Sequence, residues 1–205
     1  MTAPKERPIL FSGPMVRALL DGTKAQTRRV VKSRALEWLA DAGFGPGFVA
    51  DPANGLCPYS APGDRLWVRE MHAIVPRTAY AMSEGVQQTL KPGDDHDAAV
   101  YAAAWERSRP GRWRPSIHMP RWASRLTLEI TEVRVERLQD ISEADAMAEG
   151  ASPCANGVWF DGKPEFAGCD ARGAYYSLWE HINGAGSWDA NPWVWAVSFR
   201  VLERA

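Results

Sequence analysis

Asp21-Gly22-Thr23-Lys24-Ala25-Gln26-Thr27-Arg28-Arg29-Val30 is the stretch around which the fold of this chain is predicted. Ser12-Gly13-Pro14 lies before it and predicts a short amphipathic helix that runs to Leu20, because Ser is a good N-cap and Pro is favoured in a first turn. Gly22 suits the left-handed conformation that ends such a helix. The β-branched, alternating residues 23–31 then predict a strand.

Three cations and a hydroxyl lie close together in this stretch: Lys24, Thr27, Arg28 and Arg29. A lysine and a hydroxyl three positions apart, beside two guanidinium groups, are suited to binding an anion or activating a nucleophile. A basic edge strand that leaves a helix has the same composition, since short Lys/Thr/Arg runs are common on protein surfaces. Spacing alone leaves both interpretations open.

The length and composition of the chain indicate one globular domain. Its 205 residues are 45% hydrophobic and 24% charged, close to the average of globular proteins. It has no apolar run of the ~20 residues that a membrane-spanning helix needs and no apolar signal-peptide core at its N-terminus, so we expect a cytoplasmic location. Three cysteines without CxxC spacing argue against disulfides and a thiolate zinc site, and neither a metal nor a cofactor is predicted.

A net charge of −1 excludes a globally basic nucleic-acid binder but not a local basic patch. Residues 107–125 form such a patch, with six arginines, two tryptophans, one histidine and no acidic residue. Cations for phosphates and rings for bases are what single-stranded nucleic acid needs, although a solvated loop paired with acids elsewhere fits equally well. The residues that define the patch are Arg107, Arg109, Arg112, Trp113, Arg114, His118, Arg121, Trp122 and Arg125.

A strand is also predicted for residues 65–70, directly after the turn signal Pro62-Gly63-Asp64. Its alternation places Leu66, Val68 and Glu70 on one face and Arg65, Trp67 and Arg69 on the other. A carboxylate at the end of an apolar face lies either at a rim or in a pocket. Arg69 and Glu70 are therefore added to the candidate contacts for nucleic acid or substrate.

The second half of the chain alternates irregularly between strands and helices. The longest predicted strand covers 126–138, with a bulge after Ile130, and a helix capped by Ser142 follows and ends at Gly150. Glu149 lies in the last turn of that helix, where the helix dipole disfavours a negative charge. A helix over 171–182 and a strand over 192–202 close the chain. This order favours an α+β fold over a doubly wound sheet, and the sequence has no Gly-rich nucleotide loop.

Three motifs, in this order, resemble the ASCH-domain family of the PUA-like superfamily, in the larger form often found in phage and prophage genomes. They are Leu19–Arg29, Pro62–Glu70 and Pro115–Trp122. The resemblance implies a single domain over 1–205, built as a small β-barrel with flanking helices and insertions near 33–56, 73–97 and 151–170. Glycine and proline in the first of these stretches predict an excursion outside the core, and residues 72–97 are predicted as a loop. It also implies a cleft beside the first motif and an association with RNA or a nucleotide.

One bacterial branch of that family consists of small amidohydrolases acting on N4-acetylcytidine. Their Lys, Thr and distant Glu correspond to Lys24, Thr27 and Glu149. The resemblance implies that Thr27 attacks an amide carbonyl, that Lys24 accepts its proton, and that Glu149 protonates the leaving amine. This sequence departs from the branch at residues 30–32, where Val-Val-Lys stands in place of an early acidic residue.

Two further functions remain open. The chain is alternatively a non-catalytic binder of RNA or a modified base, or a ribonuclease that uses Lys24 and His118. In the binder, Trp113 or Trp122 stacks a base, and the arginines that hold phosphates are Arg28, Arg29, Arg112, Arg114 and Arg121. Because side chains alternate along a strand, Lys24 and Thr27 share a site only if the chain turns between them. Convergence of Lys24, Thr27 and Glu149 would favour the enzyme, whereas dispersal would favour the binder.

Overall fold

The fold is α+β in a computed structural model that describes residues 3–41, 43–107 and 110–204. The helices are α1 (Gly13–Leu20), α2 (Ser33–Ala40), α3 (Pro46–Ala50), α4 (Glu143–Ala148) and α5 (Ala171–Asn183). The strands are β1 (Glu6–Leu10), β2 (Gln26–Val30), β3 (Arg65–Arg69), β4 (His72–Pro76), β5 (Thr89–Leu90), β6 (Asp97–Tyr101), β7 (Leu126–Arg137), β8 (Ala151–Cys154), β9 (Gly157–Phe160), β10 (Lys163–Gly168) and β11 (Trp193–Arg204).

The main sheet has five strands in the order β1-β3-β7-β11-β2. Its pairs are antiparallel except for β1 with β3. The Arg29 side chain donates a 3.0 Å hydrogen bond to the Leu10 carbonyl, so the two edge strands β1 and β2 approach each other. In the described part of the chain, backbone pairing does not close this sheet into a barrel, and the predicted barrel stays a prediction.

The predicted bulge in the longest strand is confirmed. Along the β7–β11 ladder, Glu132 pairs with Ser198 and Ile130 pairs with Phe199, which leaves Thr131 as the extra residue. A bulge of this kind bends the strand and increases its twist. It therefore helps the long strand to curve around the core.

The predicted first helix and its glycine stop are also confirmed. Ser12 occupies the N-cap position of α1 in an extended conformation, although its side chain makes no capping hydrogen bond. Gly22 has a φ of 77°, a left-handed conformation that residues with a side chain rarely adopt. The strand begins at Gln26 rather than at residue 23, so Lys24 precedes the regular strand.

The two faces of the main sheet bury different clusters. On β11, Trp195 and Phe199 face a core shared with β1, β3, β7 and α1, whereas Val194 faces a second cluster with α4 and α5. Because paired residues share a face, Thr27 and Arg29 of β2 lie on the first side, and Gln26 and Arg28 lie on the second. None of the described helices is long and apolar enough to cross a membrane.

The three stretches predicted as insertions contain regular structure. Ala35 of α2 and Val49 of α3 are buried in the main core, so the interpretation of 33–56 as an excursion outside the core is wrong. Its glycines and proline delimit short helices, with Pro46 in the first turn of α3. Residues 72–97, predicted as a loop, contribute β4 and β5, which pair with β6. Residues 151–168 form the sheet β8–β10 beneath α5.

Candidate active site

Lys24 and Glu149 form a buried ion pair at the junction between β2 and α4. Lys24 Nζ lies 2.8 Å from Glu149 Oε2 and donates a second 2.8 Å hydrogen bond to the Glu149 carbonyl. The two side chains are 1% and 4% exposed. Their backbones form an isolated antiparallel bridge, and the Ala25 amide donates to the Ala148 carbonyl at 2.8 Å. The backbone thus holds both residues in register.

Local sequence explains why α4 delivers Glu149 to this point. Ser142 Oγ accepts a 3.1 Å hydrogen bond from the Asp145 amide, which fixes the start of the helix, as predicted. Gly150 follows the last turn with a φ of 108°. A Cβ at Gly150 would lie 3.1 Å from the Ala18 Cβ and 3.4 Å from the Lys24 Cβ. Glycine therefore permits the close approach of α4, α1 and Lys24.

The surroundings of the pair lower the pKa of Lys24. Burial lowers the pKa of Lys24, because loss of water penalises the charged ammonium. The charge and hydrogen bond of Glu149 oppose this shift, while the positive charges of Arg29 and Arg28 lower the pKa further. The Lys24 ammonium is therefore a better proton donor to its neighbours than an ordinary surface lysine.

Glu149 is buried beside a cleft. Its Oε1 is paired with Arg28 Nη1 at 3.5 Å. Glu149 lines two adjoining cavities between α1 and α5, with volumes of about 420 and about 330 Å³. The Tyr175 phenol also lies near the carboxylate: burial, the charge of Glu149 and a hydrogen bond with its side chain raise the pKa of Tyr175 well above its usual value. A buried carboxylate that is paired with two cations and lies beside a cavity is a candidate functional group.

Arg28 is the centre of a buried ionic network rather than a surface cation. Its side chain is fully buried, and Nη2 lies 2.5 Å from Glu136 Oε1 and 3.2 Å from Asp145 Oδ2. It also hydrogen bonds to the Gln26 amide oxygen. These contacts occupy the guanidinium, so burial does not support the predicted role of Arg28 as a phosphate ligand.

The predicted trio is brought together only in part. Thr27 Oγ1 accepts a 3.0 Å hydrogen bond from Arg29 Nη1, and in the described residues no hydrogen bond joins Thr27 to Lys24 or Glu149. Both cations lie over the Phe11 ring, with Lys24 Nζ 5.7 Å and the Arg29 guanidinium carbon 5.4 Å from its centroid. Thr27 is also fully buried. Alternation along β2 thus separates Thr27 from the Lys24–Glu149 pair.

Glu70 is buried in a second ion pair, which resolves whether it lies at a rim or in a pocket. Arg125 Nε and Nη2 each donate a 2.9 Å hydrogen bond to the two Glu70 oxygens. Burial raises the pKa of Glu70, although the hydrogen bonds and charge of Arg125 oppose the shift. Arg69 donates to the Ile117 carbonyl and lies over the Trp67 ring. These contacts describe internal packing and do not support substrate contacts for Arg69 and Glu70.

The basic patch divides into exposed and packed residues. Arg112, Arg114 and His118 are exposed and line a cavity of about 330 Å³ beside Ile74 of β4. The rings of the patch are packed: Trp113 lies edge-on to Trp105, and Trp122 packs against the cluster around Tyr101. Arg107 donates a hydrogen bond to the Glu84 carbonyl, and Arg121 pairs with Glu6. Arg125 is buried and pairs with Glu70, whereas Arg109 lies outside the described residues.

Sequence reasoning missed three polar residues that shape the site: Gln26, Glu136 and Asp145. Asp145 lies four residues before Glu149 and so shares a helix face with it, which is the local signal that identifies it. Glu136 and Gln26 carry no comparable local signal. Tyr175 has the spacing of an apolar core residue of α5, and only the fold brings its phenol close to Glu149.

A scan against models of protein families, a search of curated proteins and a search of solved structures each find no match for this chain. The family resemblance stays a prediction, and the function is argued from the geometry of the site.

Proposed function

We propose that this chain is an ASCH-type, PUA-like protein of the larger phage and prophage form, and that it hydrolyses an acyl amide on a modified nucleoside such as N4-acetylcytidine. The observation that carries the proposal is the buried Lys24–Glu149 pair, because Glu149 lies in the wall of a cleft. The bond between Arg29 and the Leu10 carbonyl supports the PUA-like part, because it draws the two sheet edges together.

Glu149 is the acid and base of the proposed reaction. Its Oε1 takes a proton from a water molecule as the water oxygen forms a bond to the acyl carbon. When the C–N bond breaks, the same proton passes to the leaving nitrogen, and the products are the carboxylic acid and the free amine. Lys24 stabilises the carboxylate through Oε2 and fixes its position, since its two 2.8 Å hydrogen bonds reach both the side chain and the backbone carbonyl of Glu149. Lys24 is thus a positioning residue.

The resemblance instead assigns the attack to Thr27, and a pair of variants distinguishes the two routes. Because Thr27 is buried and bonded to Arg29, we expect Thr27→Val to keep acetate release from N4-acetylcytidine within about tenfold of the wild-type rate. A loss of more than about a hundredfold in Thr27→Val, with activity retained in Thr27→Ser, would assign the attack to the hydroxyl. Acetate release and single-turnover kinetics are the measurements.

A non-catalytic RNA contact is the second candidate function, and the cavity beside β4 favours it. Arg112, Arg114 and His118 meet there, and among the described residues no ion pair neutralises the two arginines. Exposed cations of this kind bind phosphates through electrostatic contacts that salt weakens. The ribonuclease alternative has less support, because Lys24 lies in the buried pair with Glu149 while His118 lines this separate cavity.

Replacing both arginines tests this contact. We expect the double variant Arg112→Gln/Arg114→Gln to bind a short single-stranded RNA at least about tenfold more weakly than wild type, with a smaller salt dependence. Fluorescence polarisation at several salt concentrations measures both effects. Arg77→Gln is the matched control, because Arg77 is an exposed arginine paired with Asp95. Equal RNA affinity in all three proteins would remove this candidate.

A further inference from the structure

A third cavity adjoins the cleft at Glu149 at Arg29. The two cavities beside Glu149 share Ser12, Met15 and Leu178 in their walls, so they are direct neighbours. The smaller of them shares Arg29, Val30 and Asn183 with a further cavity of about 440 Å³. A ligand that contacts Glu149 and extends along Arg29 would therefore meet this far cavity.

The far cavity is lined by cations without carboxylate partners. Its charged lining residues are Arg29, Lys32 and Arg34, and the lining contains no acidic residue. Within the described residues no ion pair involves any of the three, in contrast to Arg28 next to them. Arg29 also acts on the Tyr59 phenol in the same wall, where burial raises the pKa and the arginine charge opposes it. The cavity thus carries an uncompensated positive charge.

The start of α2 adds backbone donors to the same cavity. Residues 32–35 line the cavity and form the N-terminal end of this eight-residue helix. No side chain caps the helix, and its first turn contains no acidic residue. The first amides of a helix have no partner within the helix, and its N-terminal end favours negative charge. The amides and the side-chain cations therefore favour the same kind of ligand group, an oxyanion.

We propose that the substrate is a nucleoside 5′-monophosphate: its acyl-bearing base lies at Glu149 and its phosphate lies among Arg29, Lys32 and Arg34. A phosphate monoester has several acceptor oxygens and close to two negative charges at neutral pH, which suits three unpaired cations. The base-binding half of this inference rests on the proposed function, whereas the phosphate site rests on the far cavity alone.

Calorimetric binding of two simple ligands tests the phosphate site without any catalysis. We expect cytidine 5′-monophosphate to bind at least about tenfold more tightly than cytidine, and the double variant Lys32→Gln/Arg34→Gln to remove that preference. Lys91→Gln is the matched control, because Lys91 is a half-buried lysine that is paired with Asp94 and does not line the far cavity. Equal binding of the two ligands, or a preference unchanged in the double variant, overturns the proposal.

Acetate release from N4-acetylcytidine and from its 5′-monophosphate provides the second measurement. We expect the double variant to raise KM for the monophosphate by about tenfold or more while leaving KM for the nucleoside within about twofold. If neither compound is hydrolysed but the binding preference persists and depends on Lys32 and Arg34, hydrolysis fails and the phosphate site stands. If both are hydrolysed with equal kcat/KM in wild type and variant, the phosphate site fails and hydrolysis stands. Binding of a short RNA but not of the mononucleotide overturns the assigned substrate class.

Discussion

Glu149→Gln is expected to abolish most acetate release from N4-acetylcytidine, with a fall in kcat of about 10² to 10⁴, the range that general acid–base catalysis contributes. The glutamine side chain cannot accept a proton from water and return it to the leaving nitrogen. Glutamine has nearly the same size as glutamate and keeps its position beside Lys24, so a lower rate reflects the loss of proton transfer rather than a change in the shape of the site. Acetate release under saturating substrate, with circular dichroism to confirm folding, is the measurement.

Two companion variants make this result interpretable. Glu132→Gln is the matched control, because Glu132 is an exposed carboxylate paired with Arg134, and we expect wild-type rates. Lys24→Met removes the ammonium that holds Glu149 Oε2, and we expect a lower kcat because the carboxylate is no longer held in position. Wild-type activity in Glu149→Gln would contradict the proposed function, whatever Lys24→Met does.

Arg28→Met is expected to cost about 3–5 kcal/mol of unfolding free energy, which is typical when one partner of a buried ionic network is removed. The methionine leaves three neighbouring carboxylates, on Glu136, Asp145 and Glu149, without their shared cation. Desolvation and mutual repulsion then oppose folding. Urea denaturation at neutral pH measures the midpoint and the slope of the unfolding transition, from which the free energy of unfolding is obtained.

The pH dependence of this loss has a predictable sign. Burial alone would raise the pKa of Asp145, but the hydrogen bond from Gln26 and the charges of Arg28 and Arg134 outweigh it and lower the pKa below the ordinary 3.8. A carboxyl with a lowered folded-state pKa stabilises the protein above pH 3.8 and loses that contribution as pH falls through the folded value. The difference in unfolding free energy between Arg28→Met and wild type should therefore become smaller at acidic pH.

Arg200→Met is the matched control for Arg28→Met. Arg200 of β11 pairs with Glu129 of β7, and the Arg200 side chain is 66% exposed. Exposed ion pairs contribute about 0–1 kcal/mol, so the control should remain close to wild type. An equal, small loss in both variants would show that the Arg28 network contributes no more than a surface pair.

Local signals in the sequence were sufficient for much of the secondary structure. Ser12, Pro14 and Gly22 delimit α1, Ser142 and Gly150 delimit α4, and the shift in alternation after Ile130 marks the bulge in β7. Each of these features depends on residues only a few positions apart. Such short-range rules act on caps, turns and side-chain alternation before any tertiary contact is considered.

Composition does not predict the structure of the stretches near 33–56 and 73–97. Their glycines and prolines are typical of loops, but in the structure these residues separate short helices and strands. Burial of Ala35 and Val49 depends on where those helices pack, which composition does not encode. Similarly, the arginines of the basic patch look alike in sequence, although Arg125 is buried and Arg112 is exposed.

The sequence by itself determined the alternation of side chains that lets Thr27 meet Lys24 only after a turn of the chain, whereas the pairing of Lys24 with Glu149 was implied by the family resemblance. The tertiary structure decided the outcome, because Lys24 and Glu149 are 125 residues apart and meet through pairing across Ala25. Regular alternation from Gln26 onward then directs Thr27 to the opposite face of β2. Long-range strand pairing and burial, rather than local spacing, therefore determine which predicted residues share the site.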